Sequence, residues 1–155
     1  DDDDNGFIDD IKGWNFSGRN NNSNDDNGHG THCAGIIVAS GQKVYGVAPH
    51  VKILPLQFLD RRGSGSTADA IAAIDYAVLM GAHVLSNSWG GSGKSRALED
   101  AIKSANNKGI DFVAAPRNNR QGLGNYKICP SAYEVANRIA VVNIKESGSI
   151  QSSSK

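Results

Sequence analysis

The feature of this sequence that most restricts its fold is a regular alternation of short apolar runs with longer segments of helical periodicity. Within the segment Thr67–Met80, for example, Ile71, Ile74 and Val78 recur at the spacing of one helix face. The alternation predicts, in chain order, a buried helix at residues 31–40, a strand at Val51–Leu56, a helix at Thr67–Met80, a strand at His83–Ser86, a helix at Arg96–Lys108, and strands at Phe112–Ala115 and Ile139–Val142.

Strands that are apolar throughout are typical of a parallel sheet covered by helices on both faces. We therefore predict an α/β fold of this kind. Ligands of such sheets bind beyond the carboxyl ends of the strands, which places candidate functional loops after residues 56, 86 and 115. The 155 residues correspond to one domain, with an acidic, asparagine-rich loop region at residues 1–28 and an α/β core portion at residues 29–155.

Charge and composition argue against several classes of function. Lys and Arg number 16 and so do Asp and Glu, so the basic excess typical of a nucleic-acid-binding protein is absent. No apolar stretch of the sequence reaches the length of a membrane span. The two cysteines, Cys33 and Cys129, are too few for a disulfide framework and leave the cellular compartment open.

The segment Asn27–Gly35, which reads Asn-Gly-His-Gly-Thr-His-Cys-Ala-Gly, is the most informative about chemistry. Its His29 lies between two glycines and precedes an apolar run, which predicts a histidine in the first turn of a helix, facing a cleft. The pKa of free imidazole lies near neutrality, so such a side chain can act as a general base. Spacing alone leaves two alternatives open, an ordinary loop histidine and a metal pair of His29 with His32.

With Asp26 in front of it, this segment resembles the histidine signature of subtilisin-like serine proteases, the subtilases or peptidase S8 family. The resemblance implies a subtilisin-like three-layer architecture and a serine endopeptidase that hydrolyses peptide bonds through an acyl-enzyme. It implies that His29 is the general base and that His32 supports it. Cys33 resembles the proteinase K-like branch, which has a thiol beneath the histidine.

Other segments resemble the same family in the same order along the chain. Gly46–Pro49 resembles its Gly-Val-Ala-Pro step into a strand. Gly63-Ser64-Gly65 and Ser88-Trp89-Gly90 resemble the two backbone segments that pair with an extended substrate. Small residues suit that role, because a peptide that pairs with exposed backbone must approach it closely. The residues alone are also compatible with ordinary turns.

Asn118 aligns with the asparagine that donates a hydrogen bond to the oxyanion of the tetrahedral intermediate in this family. The family's usual Ala-Gly before it is replaced by Pro116-Arg117. Arg117 could crowd the floor of the pocket, and Pro116 has no backbone N–H to donate. The resemblance implies Asn118 as the oxyanion donor, with the register open by one residue to Asn119.

The acidic start of the chain follows the D-x-D-x-N-G rhythm of a calcium loop. Oxygen ligands that alternate along a loop can converge on one hard cation, and Gly6 permits the sharp turn. Position twelve is Lys12 rather than Glu, and Asp10 can supply the carboxylate instead. The alternative is a solvated acidic loop. The candidate ligands are Asp1, Asp3, Asn5, Asp9 and the carbonyl of Phe7.

Two motifs of the family's triad are absent from these residues, the Asp-Ser/Thr-Gly of the aspartate and the Gly-Thr-Ser-Met-Ala of the serine. We therefore expect an internal fragment of a catalytic domain, incomplete at both ends. Ser152–Ser154 resemble the strand before the serine, not the nucleophile. The expected parent is a secreted or secretory-vesicle protease with protein or peptide substrates and an inhibitory propeptide. Alternatives are an inactive, peptide-binding relic and a calcium-binding structural domain.

Overall fold

The computed structural model describes residues 3–115 and 128–149. The chain divides into two compact units, Asp1–Ala73 and Ile74–Lys155. Helix α2 (Thr67–Leu79) contains the boundary between them and ends within one residue of its predicted end. Each unit contains its own parallel strand pairing, so the α/β class with parallel sheets and helices is confirmed.

The first unit is built around a two-stranded parallel sheet and one complete helix. Strand β1 (Trp14–Asn15) pairs with β2 (Leu56–Gln57), and α1 spans His29–Val38. The approach of the two strands requires glycine at Gly13, because a Cβ there would lie 2.0 Å from the carbonyl oxygen of Pro55. The sheet is therefore held together by contacts between segments that lie far apart in the sequence.

Two predictions for this unit are wrong in extent. The strand predicted at Val51–Leu56 comprises only Leu56 and Gln57, because β1 offers two residues for pairing and a strand needs a neighbour to complete its hydrogen bonds. The region at residues 1–28, predicted as loop throughout, contains β1. Strands β1 and β2 form because each pairs with a segment far away in the sequence, and the local pattern of residues does not predict such pairing.

Helix α1 begins and ends two residues before its predicted bounds. Its carboxyl end is closed by the family-like segment Gly46–Ala48, whose amides satisfy carbonyls that a helix end leaves without partners. Gly46 is required there, since a Cβ would lie 2.4 Å from the carbonyl oxygen of Ile37. The hydrogen bonds run from Gly46 N to Ala39 O (2.6 Å), from Val47 N to Ile36 O (3.0 Å) and from Ala48 N to Ile37 O (2.8 Å).

The prediction that this helix is buried is wrong, because none of its side chains is fully buried. Ile36, for example, is 54% exposed. The physical reason is the lack of an extensive packing partner within the first unit, since neither of its strands makes a broad contact with α1 in the described residues.

In chain order the second unit contains β3 (Val84–Asn87), β4 (Gly91–Ser92), α3 (Arg96–Asn107), β5 (Asp111–Ala114), β6 (Ile128–Cys129) and β7 (Arg138–Ala140). Three of these strands form a parallel sheet in the order β3, β5, β7. Helix α3 packs on β5 and buries one apolar face, which includes Leu98 and Ile102. The hydroxyl of Ser95 caps this helix by accepting the N–H of Leu98 at 3.3 Å.

The predicted bounds of β3, α3 and β5 are confirmed to within one residue. Strand β7 begins one residue before its predicted start and ends two residues before its predicted end. The antiparallel pair of β4 and β6 is a feature that the sequence does not predict. Next to it, the hydroxyl of buried Tyr133 accepts the N–H of Ser95 and donates to its carbonyl, both at 2.9 Å. Burial raises the pKa of Tyr133 to about 12.

Among the described residues, no helix has both the length and the apolar character that crossing a bilayer requires.

Candidate active site

His29 is the first residue of α1 and its side chain is exposed. Gly28, directly before it, has a φ of 96°, a left-handed conformation that residues with a Cβ rarely adopt. The glycine turns the chain into the helix, and the amide of His32 then closes the first turn on the carbonyl of Gly28 at 3.0 Å. The structure thus places the imidazole in the first helical turn, as the sequence predicts.

The carboxylate of Asp25 holds this turn together. Its Oδ1 accepts the amides of Asn27 and Gly28, each at 2.9 Å. Its Oδ2 accepts the amide and the hydroxyl of Thr31 at 2.7 and 2.8 Å. These bonds, with the Thr31 amide contributing most, hold the pKa of Asp25 well below its usual range. Asp25 therefore satisfies amides at the amino end of α1, where the helix dipole favours a negative charge.

Asn27 connects the His29 turn to a second loop. Its Oδ1 accepts the amide of His29 at 3.3 Å, and its Nδ2 donates to the carbonyl of Arg61 at 2.9 Å. A second, weaker contact between the same two segments joins Gln57 Nε2 to Asp26 Oδ1 at 3.4 Å. The start of α1 and the loop after β2 are thus tied together by side chains.

Cys33 lies one helical turn after His29, and its Sγ is 3.9 Å from His29 Nε2. The thiol therefore lies beside the imidazole, as the family resemblance implies. His32 is exposed, and its side chain makes no hydrogen bond within residues 3–115 and 128–149. In those same ranges, no three His, Cys, Asp or Glu side chains come together as metal ligands, so nothing described adds a third ligand to a pair of His29 with His32.

Gly63, Ser64 and Gly65 follow β2 in an exposed turn that Asp60 fixes. The Oδ1 of Asp60 accepts the amides of Arg62 (2.8 Å) and Ser64 (2.9 Å), and these bonds, that of Ser64 first, lower the pKa of Asp60. The amide of Asp60 in turn donates to the carbonyl of Ser64 at 2.8 Å. The loop is therefore held in a defined shape by hydrogen bonds between its own residues.

Gly65 lies against another part of the backbone. A Cβ at this position would lie 2.3 Å from the carbonyl oxygen of Phe58, so only glycine fits. Within the described part of the chain, no hydrogen bond engages the N–H or the C=O of Gly65. Its backbone is thus available for pairing with an extended peptide.

Ser88, Trp89 and Gly90 follow β3 in the second unit, beyond the carboxyl end of that strand. The indole Nε1 of Trp89 donates to Oδ1 of buried Asn87 at 3.0 Å, while Nδ2 of Asn87 donates to the carbonyl of Leu85 at 2.9 Å. Asn87 therefore has a structural role, and it orients Trp89.

In the acidic loop, the side chain of Asn5 is the centre of the hydrogen bonds. Its Oδ1 accepts the amide of Phe7 at 2.8 Å. Its Nδ2 donates to a carboxylate oxygen of Asp3 (3.1 Å) and of Asp10 (3.0 Å). Two of the carboxylates considered as calcium ligands thus converge on Asn5, and in the described residues no third carboxylate joins them as a group of metal ligands.

Several predicted residues lie outside the described residues. These are the calcium-ligand candidate Asp1, the segment of the oxyanion donor, Pro116 to Asn119 with Asn118, and the serines Ser152–Ser154.

Sequence reasoning missed Asp25, Asn27 and Asp60 as organising residues. Asp and Asn side chains commonly accept backbone amides two or more residues ahead, which is the signal that could have identified them.

A model of the subtilase family matches residues 1–155. Thermitase of Thermoactinomyces vulgaris is 38% identical over 136 residues, which cover 86% of this chain and 47% of thermitase. The thermostable alkaline protease of Halalkalibacterium halodurans is 41% identical over 122 residues, covering 77% and 33% of the two chains. For the alkaline serine exoprotease A of Vibrio alginolyticus the identity is 39% over 118 residues, covering 75% and 21%.

The chain thus spans less than half of the length of these relatives. The family match nevertheless runs along all 155 residues and includes the His29 turn whose geometry is given above. The chain belongs to the subtilase family.

Proposed function

We propose that this chain is part of a serine endopeptidase in which His29 is the general base. The observation that carries the proposal is the exposed imidazole of His29 in the first turn of α1, with the turn fixed by Asp25. A histidine in this position takes the proton from a serine hydroxyl as that oxygen attacks the peptide carbonyl. It then delivers the proton to the leaving amine, and an acyl-enzyme remains for water to hydrolyse.

The nucleophilic serine and the aspartate that orients His29 are, in this proposal, supplied by parts of the protein outside these 155 residues. The family's motifs for both residues are absent from these 155 residues. The matched part of thermitase is 47% of its length, which leaves room for both motifs in a whole protein.

The substrate in this proposal is an extended peptide that pairs with Gly63-Ser64-Gly65 and with Ser88-Trp89-Gly90. The exposed backbone of Gly65 supports the first contact, and the position of Trp89 beyond the carboxyl end of β3 supports the second. Asn118 would donate to the oxyanion that forms on the scissile carbonyl.

A fluorophosphonate probe tests the mechanism in the full-length protein. We expect rapid covalent labelling of a single serine, detected by mass spectrometry, together with hydrolysis of an unstructured protein such as casein. Hydrolysis without serine labelling would contradict the acyl-enzyme mechanism. A folded protein that neither labels nor hydrolyses would favour the second hypothesis, a relic that binds peptides.

We further propose a structural calcium ion in the acidic loop, held by Asp1, Asp3, Asn5, Asp9 and the Phe7 carbonyl, with Asp10 as an additional carboxylate. The donor set suits a hard cation, because all of these ligands are oxygens. The convergence of Asp3 and Asp10 on the amide of Asn5 supports the proposal. Two negative carboxylates lie close together and share only the dipole of the Asn5 amide group. A divalent cation would stabilise the two carboxylates more strongly than this dipole does.

Calcium is therefore expected to raise the melting temperature of the full-length protein. At about 10 mM Ca²⁺ and a Kd of roughly 10⁻⁴–10⁻³ M, binding contributes about 1.4–2.7 kcal/mol, which corresponds to several degrees. Asp3→Ala combined with Asp10→Ala should abolish the shift measured by calorimetry. Glu134→Ala, which removes an exposed carboxylate from the second unit, should retain it. If calcium left the melting temperature of the wild type unchanged, the proposed calcium site would be ruled out.

We also propose that the whole protein is secreted or held in secretory vesicles and is made with an inhibitory propeptide. Extracellular relatives support the compartment, since one similar protein, from Bacillus subtilis, is named minor extracellular protease Epr and is 36% identical over 124 residues.

A further inference from the structure

Two arginines lie side by side directly before the substrate-pairing segment Gly63–Gly65. Arg61 and Arg62 are both exposed. The ion pairs found within residues 3–115 and 128–149 join Arg96 to Asp100 and Lys103 to Glu99, so neither of the two guanidinium groups is paired there. Asp60 is the nearest acidic residue in the sequence, and its Oδ1 accepts the backbone amides of Ser64 and Arg62. These amides, and to a smaller extent the charges of Arg62 and Arg61, lower the pKa of Asp60, but neither guanidinium forms an ion pair with it in the described residues.

The turn that carries these arginines has a fixed shape and a fixed place. The amide of Gly63 donates to the carbonyl of Asp60 at 2.9 Å, which closes the turn in addition to the bonds of the Asp60 carboxylate. From the other side, Nδ2 of Asn27 donates to the carbonyl of Arg61, and Oδ1 of Asn27 accepts the amide of His29. One side chain therefore links the arginine turn to the backbone of the proposed general base.

We propose that Arg61 and Arg62 recognise an acidic side chain of the peptide substrate close to the scissile bond. This inference rests on the proposed function, because it requires a peptide that extends along Gly63–Gly65 towards His29. A guanidinium group is positively charged, and its planar fork of N–H donors matches the two oxygens of a carboxylate. Because both groups are exposed, each contact is weak, and the result is a preference for acidic substrates rather than a requirement.

The test compares pairs of peptides that differ only by Glu or Gln at one of the four positions on the amino side of the scissile bond. With the full-length protein in low salt, we expect kcat/KM for the Glu peptide to exceed that for the Gln peptide by about three- to tenfold at one position or more. The ratio should decline towards one in roughly 0.5 M salt, where exposed charges are screened.

Variants assign the preference to the two side chains. Arg61→Gln combined with Arg62→Gln should bring the Glu-to-Gln ratio to about one, whereas Arg61→Lys with Arg62→Lys should keep most of it, because the charge remains. Lys43→Gln removes an exposed cation elsewhere in the first unit, and this variant should show the same Glu-to-Gln ratio as the wild type.

Equal cleavage of every Glu and Gln pair by the wild type, or an undiminished ratio in the double Gln variant, would overturn the inference and leave the protease function standing. Failure of the wild type to cleave any of the peptides would overturn the proposed function and the inference together.

Discussion

Replacement of His29 by alanine in the full-length protein is expected to lower kcat by a factor on the order of 10⁶, a figure that itself comes from a subtilisin. The loss is large because the serine then has no base to take its proton, and the three members of a triad act as a unit. KM should change much less, since the proposed substrate contacts are made by the backbone around Gly65 and Trp89. Steady-state hydrolysis of a peptide substrate measures both constants.

The matched control for this substitution is His50→Ala, which removes an exposed histidine of the same unit outside α1. It should retain the kcat of the wild type. The melting temperature of His29→Ala should also stay close to that of the wild type, because the imidazole is exposed. A loss of activity below tenfold in His29→Ala would rule out its role as general base.

Replacement of Asp25 by alanine is expected to reduce kcat/KM by about 10- to 100-fold, mostly through kcat. Four hydrogen bonds that shape the His29 turn disappear with the carboxylate. A displacement of a reacting group by about 1 Å is enough for a loss of that size. The protein should also lose about 0.5–2 kcal/mol of stability, as when a helix cap is removed. Kinetics and thermal unfolding of the same preparation measure the two effects.

Asp26→Ala is the control for Asp25→Ala. In the described part of the chain, the carboxylate of Asp26 makes one long contact to Gln57 and accepts no backbone amide of the His29 turn. This control should leave both kcat and the melting temperature nearly unchanged. If Asp25→Ala lowered the melting temperature and left kcat intact, Asp25 would be a helix cap without influence on His29.

The stability that Asp25 contributes has a defined dependence on pH. The pKa of its carboxyl is lowered in the folded protein, so the contribution is fully present above the ordinary value near 3.8 and is lost as the pH falls below it. The difference in melting temperature between the wild type and Asp25→Ala should therefore be constant at neutral pH and shrink in acid.

Elements with their own periodicity and capping residues could be predicted from the sequence. Helix α3 has an apolar face, a serine cap and a glycine after its end, and its bounds are correct to one residue. Strands β1, β4 and β6 each have two residues, too few to show an alternation of side chains. They exist because a distant segment lies alongside, and that information is spread over the whole chain.

The candidate site shows the same division. The position of His29 at a helix start followed from the glycines around it, which is a local signal. The contacts of Asn27 with Arg61 join residues 34 positions apart and follow only from the folded loop. The roles of Asn118 as oxyanion donor and of the acidic loop as a calcium site remain predictions, with Asn118 outside the described residues.

Helix α1 is held by hydrogen bonds at both ends, from the Asp25 carboxylate at its amino end and from the amides of Gly46–Ala48 at its carboxyl end. The residues between α1 and Gly46 form a small exposed hairpin, in which Ser40 pairs with Tyr45 and the amide of Gly41 donates to the carbonyl of Val44 at 3.1 Å. The tip of this hairpin takes no part in the hydrogen bonds at either end of the helix. Residues can therefore be inserted at the tip of this hairpin, for example as an epitope, without moving either set of hydrogen bonds. His29 then keeps its position at the start of α1.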